Sequence, residues 1–83
     1  MMKRVKWDEW RCCEFSYCAT TIVGGWWLCL IRAKHSQIVR GEAALLGHSG
    51  AVLSVNCQTA LAAKRAILKR TRNFLQEALE ALA

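Results

Sequence analysis

Eighty-three residues, 54% of them apolar, with no proline and five glycines, read as one folded domain in which no disordered linker is visible. The net charge of +6 favours anionic partners: a phosphate backbone, anionic lipid or an acidic protein face. A core of this size supplies only a few kcal/mol, so a disulfide, a metal or a second subunit is the usual helper in such chains.

At the start of the chain, MMKRVKW has the charge of a signal-peptide n-region. Asp8, Glu9, Arg11 and Glu14 then occupy the place of its apolar stretch, so the chain reads as cytoplasmic. The five cysteines, Cys12, Cys13, Cys18, Cys29 and Cys57, are odd in number. They are expected to stay reduced and to act as small hydrophobes.

Phe15 to Ile31 is a run of 17 uncharged residues, at the lower edge of the length of a membrane-spanning helix. Gly24-Gly25 interrupts it, and Ser16, Tyr17, Thr20 and Thr21 make its first half polar. The run therefore reads as a hairpin. A glycine pair between Val23 and Trp26 suits a two-residue turn, in which both central positions take positive φ. That turn pairs Val23 with Trp26, Ile22 with Trp27, Thr20 with Cys29 and Cys18 with Ile31. One face then carries Cys18, Ile22, Trp27, Cys29 and Ile31. The other carries Phe15, Tyr17, Val23, Trp26, Leu28 and Leu30. Neither face is polar, so either both are covered or one is a binding surface.

Residues 32–37 are polar and turn. From Ile38 to Ala43 the pattern alternates, with Val39, Gly41, Ala43 and Leu45 inward and Arg40 and Glu42 outward, as in a third strand. Gly47-His48-Ser49-Gly50 reads as a turn; residues 51–55 read equally as a fourth strand or as the lead-in to a helix. From Asn56, a candidate N-cap, apolar residues recur at helical spacing to the end of the chain. A helix over 57–82 would be roughly 39 Å long. That is longer than short strands need, so its last turns should project, bend back or meet a partner.

Leu61, Leu68, Leu75 and Leu82 repeat every seven residues. Because Ile67 and Phe74 broaden the stripe, it is expected to pack on the chain's own sheet. A homodimer through this helix is the alternative. Lys64, Arg65, Lys69, Arg70 and Arg72 lie within nine residues that hold no acid, and Arg65, Lys69 and Arg72 share one helical stripe. This is the footprint of a contact with nucleic acid or an acidic protein, or else a solvated face. Trp26 and Trp27 fall on opposite hairpin faces, so one of them is a candidate interface anchor unless both faces are buried. Cys12, Cys13, Cys18, Cys29, His35 and His48 lack the spacing of a zinc site. No paired carboxylate accompanies either histidine, so no acid–base pair is expected.

LCLIRAKHSQIVRGEA and TALAAKRAIL resemble the strand–strand–helix tail of a double-stranded RNA-binding domain over residues 28–68, although GHSGAVLSVNCQ replaces that family's lysine-rich helix start. As a short, basic, cysteine- and tryptophan-bearing chain, the sequence also resembles the accessory proteins of temperate phages, anti-CRISPR proteins among them. That resemblance implies a stoichiometric inhibitor docked on a host protein such as a CRISPR effector.

The expected fold is α+β: an antiparallel sheet of three or four strands within about residues 10–55, followed by one long C-terminal helix packed on it. The expected function is that of a small non-enzymatic protein-binding inhibitor or adaptor, with Trp26, Trp27 and the five helical bases as contacts. A nucleic-acid-binding module and a small membrane-associated protein are the alternatives. No cofactor or metal is expected.

Overall fold

A computed structural model describes residues 5–47 and 50–82. Lys3, Arg4 and the His48-Ser49 centre of the proposed turn lie outside the described residues. The chain forms β1 (Arg11–Cys12), β2 (Ser16–Val23), β3 (Trp26–Ala33), β4 (Val39–Leu45), β5 (Leu53–Cys57) and α1 (Ala60–Leu82). The strands make one five-stranded antiparallel meander in sequence order. The class is α+β, with five strands where three or four were expected.

The central hairpin follows from its turn. Gly24 and Gly25 have φ of 53° and 84°, a pair of values that residues with a Cβ rarely combine. The register then places Val23 opposite Trp26, Ile22 opposite Trp27 and Cys18 opposite Ile31. Among the described residues no helix is long and apolar enough to cross a membrane, and the uncharged run is folded back as β2 and β3.

One face of the sheet is covered and the other is open. Helix α1 lies over β4, β5 and the near side of β3. Between the layers, Ala19, Leu28, Leu30, Val39 and Ala43 of the sheet and Ala63 and Ile67 of the helix are almost fully buried. Gly41 lets the two layers touch. A Cβ built there would meet Val55 Cγ2 at 2.9 Å, Ile67 Cβ at 3.2 Å and the Ala63 carbonyl oxygen at 3.4 Å. Strand β4 is oriented as its alternation predicts at Val39, Gly41 and Ala43, inward, and at Arg40, outward, but Leu45, expected inward, is exposed and Glu42, expected outward, is half-buried.

Three expectations need correction. Residues 53–57 form a strand, so the helix begins at Ala60 and not at 57. Its first turn is capped by Thr59, whose Oγ1 accepts from Ala62 N–H at 3.1 Å, and Asn56 is a strand residue paired with Arg40. The leucine repeat is not the packed stripe. The buried helix residues are Ala63, Ile67 and Thr71, while Leu61, Leu75 and Leu82 are exposed. Small side chains at the closest approach, against Gly41, turn the leucines about 100° away from the sheet. The tail of the RNA-binding resemblance is interrupted as well, since β5 stands between its two strands and its helix.

The segment before β1 takes part in the fold. Asp8 N–H donates to the Thr20 carbonyl at 2.9 Å, and the Thr21 hydroxyl donates to the Lys6 carbonyl at 2.7 Å. Thr20 Oγ1 also accepts from Arg11 at 3.2 Å and donates to Asp8 Oδ2 at 3.3 Å. These bonds strap residues 6–8 along the edge of β2. The strap inserts Trp7 against both halves of the core, with Lys64 Nζ 5.8 Å above its ring.

Candidate functional site

The two adjacent tryptophans have opposite fates. Trp26 is 4% exposed and meets Phe74 edge-on, with centroids 5.7 Å apart. It belongs to the core and is not an exposed contact. Trp27, on the open face, is 48% exposed beside Ile22 at 64%. The period of two in a strand forces this split once one face is covered.

The contact between Trp26 and Phe74 also fixes where the helix goes. Its C-terminal half reaches the hairpin-turn end of the sheet, and every residue from Arg72 to Leu82 is exposed. At that end Val23 leaves β2, Leu45 and Leu46 leave β4, and Leu46 N–H donates to the Gly25 carbonyl at 3.0 Å. All three side chains are exposed, as are Phe74, Leu75 and Leu79 on the helix. Between the helix and the sheet runs an open groove lined by Val5, Val23, Leu68, Arg72, Leu75, Gln76 and Leu79.

The helical bases do not act as one group. Counted at about 100° per residue from buried Ile67, the groove-lining leucines lie about 80–120° round the helix. Arg72, Arg65 and Lys69 follow at about 140–200°, so the basic stripe borders the leucine flank. Arg70 is rotated to the other flank, and half-buried Lys64 is engaged over Trp7. The basic stripe and Trp27 lie on opposite layers of the molecule, so one flat contact cannot include both.

The far end of the molecule carries a cleft of about 320 Å³ lined by Trp10, Tyr17, Arg32, Gln37, Val39 and residues 58–60, of which only Ala60 is helical. Arg32 and Lys34 stand over the Tyr17 ring at 5.2 and 5.7 Å. Among the described residues no carboxylate lines it. His35 is exposed, and His48 lies outside the described residues. Among the described residues, no cluster of three or more His, Cys, Asp or Glu side chains could hold a metal ion.

On the open face, burial first and the nearby Glu42 carboxylate second push the Cys29 thiol from 9.0 up to about 11. The unfolded chain therefore loses this proton before the folded chain does. The contribution of Cys29 to stability is complete below pH 9.0 and is lost as pH rises toward about 11. Urea midpoints measured across that window should decline less steeply in Cys29→Ala than in the wild type. Equal slopes would place this thiol in water.

Hydropathy left both hairpin faces as candidates, and only the structure shows that the Ile22–Trp27 face is the open one. Hydropathy missed the groove, because Val5, Val23 and the leucines of the helix converge only in three dimensions. One signal did exist: a helix longer than its sheet with apolar residues continuing to its last turn. Compared with models of protein families, with curated proteins and with solved structures, the chain matches none.

Proposed function

We propose that the chain is a non-catalytic protein-binding module, an inhibitor or adaptor that acts by occupying a site on its partner. The observation that carries this reading is the groove between the hairpin end and the helical tail, lined mainly by Val5, Val23, Leu68, Leu75 and Leu79 with Arg72 and Gln76, and flanked on the helix by Arg65 and Lys69. An apolar ridge with acidic flanks is its complement in shape and charge, as in helix-in-groove recognition. The partner is therefore an acidic amphipathic segment of another protein. Exposed leucines that add nothing to the core are consistent with that use.

The test is Leu75→Ser/Leu79→Ser. Both residues are exposed, so the fold should survive, while affinity for a purified partner, first captured from the native host, should fall at least tenfold, about 1.4 kcal/mol. Charge reversal at Arg65 and Lys69 should weaken binding most at low salt. If Trp27→Ala abolishes binding and the leucine pair does not, the open sheet face is the contact and the groove reading falls. Retention on DNA at low salt, lost in Arg65→Ala/Lys69→Ala/Arg72→Ala, would instead favour a nucleic-acid-binding module. Concentration-dependent self-association lost in the leucine variant would make a second copy the occupant.

A further inference from the structure

Strand β1 is two residues long and ends in a tight turn. Arg11 pairs with Cys18 and Cys12 with Tyr17, and Cys13 N–H then donates to the Ser16 carbonyl at 2.8 Å. Cys13 thus leaves the ladder one residue past its last pair and folds over the start of β2. Its sulfur comes to 3.4 Å from that of Cys18. The other cysteines are placed differently. The Cys12 thiol is directed to the Cys13 carbonyl at 3.7 Å, and Cys29 and Cys57 are partly buried on β3 and β5. A disulfide needs sulfurs about 2.05 Å apart, so closure requires a movement of about 1.4 Å. Cys13 is exposed at a turn and can supply that movement by side-chain rotation.

We propose that Cys13 and Cys18 form a reversible intramolecular disulfide site whose co-reactant is a small-molecule disulfide. The exposed Cys13 thiolate attacks one sulfur of the reagent. The reagent's S–S bond breaks, one thiolate leaves, and a mixed disulfide stands on Cys13. The Cys18 sulfur, already in contact, then attacks Cys13, the protein S–S bond forms and the second thiolate leaves. The protein dithiol loses two electrons and two protons. The reagent gains both and departs as two thiols. The Cys18 thiol is held above 9.0, first by its hydrogen bond to Cys13 and then by burial.

The bond would add a covalent tie to a strand that holds only two ladder pairs. It would stand beside Arg11, whose guanidinium helps bind the Trp7 strap through Thr20. Oxidation would thus lock the N-terminal edge of the sheet, to which the Trp7 strap is bonded.

The test is incubation of the full chain with glutathione disulfide, then alkylation, cleavage after Glu14 and fragmentation of the linked peptides in the mass spectrometer, which separates Cys12 from Cys13 and Cys18 from Cys29. Early time points should show residues 13 and 18 linked within one chain, exceeding every other pairing by about tenfold, with a loss of about two daltons reversed by dithiothreitol. Cys12, Cys29 and Cys57 should be alkylated. Cys18→Ser should trap the glutathione adduct on Cys13, and Cys13→Ser should abolish rapid closure. Dominant linkage through Cys12, dominant linkage between chains, or a wild-type adduct that never closes would each overturn the proposal.

Discussion

Trp26→Ala is expected to lower stability by about 3–5 kcal/mol, whereas Trp27→Ala should change it by less than about 1 kcal/mol. The residues are adjacent and identical, so only the covered face separates them. Trp26 fills the space between Leu28, Ala43 and Ile67 and supports Phe74 of the helix, and truncation leaves a cavity that close-packed neighbours close only in part. Trp27 keeps half its surface in water. A domain this small has only a few kcal/mol in hand, so Trp26→Ala should be largely unfolded at room temperature. Urea denaturation followed by far-ultraviolet circular dichroism reads the Trp27→Ala value, and the ellipticity lost without urea reads the unfolding of Trp26→Ala. Equal losses in the two variants would mean that the helix does not select one face.

Gly41→Val should be comparably damaging, and Gly41→Ala should lower the urea midpoint by an amount equivalent to about 1–2 kcal/mol. The φ of Gly41 is not positive, so an added methyl group would by itself stabilise the strand, by about 0.4–1 kcal/mol through the unfolded state. Overpacking opposes this at about 1–3 kcal/mol, and at 2.9 Å from Val55 Cγ2 it wins. Valine adds two further methyl groups against Ile67 and Ala63, so the helix must lift. Val55→Ala removes the nearest obstructing atom, so Gly41→Ala/Val55→Ala should be more stable than the sum of the single losses predicts. A Gly41→Ala variant more stable than the wild type would show that helix and sheet are not in contact there.

Some features were legible in the residues because their causes are local. Gly24-Gly25 defines a turn, and that turn defines the β2–β3 register pair by pair. Alternation from Ile38 to Ala43 orients β4. Other features were hidden because local signals were weak or pointed elsewhere. Residues 53–57 carry both strand and helix signals, and pairing with β4 decides between them. Two-residue β1 has no periodicity to detect, and Trp7 gives no sign that it belongs to the core. The leucine heptad was misleading as a packing stripe. Its repeat is real, yet the closest approach at Gly41 selects the narrower Ala63, Ile67 and Thr71 face.

The amino-acid sequence alone determined the α+β class, the hairpin and its register, the inward face of β4 and a helix too long for its sheet. These depend on turn geometry and periodicity, which act between near neighbours. Tertiary structure decided which hairpin face is buried, which helical stripe packs, and that Val23, Leu75 and Leu79 share a groove. It also brought Cys13 and Cys18 together across the β1–β2 turn. Such choices depend on which surfaces can approach most closely, a property of two packed layers that neither layer carries by itself.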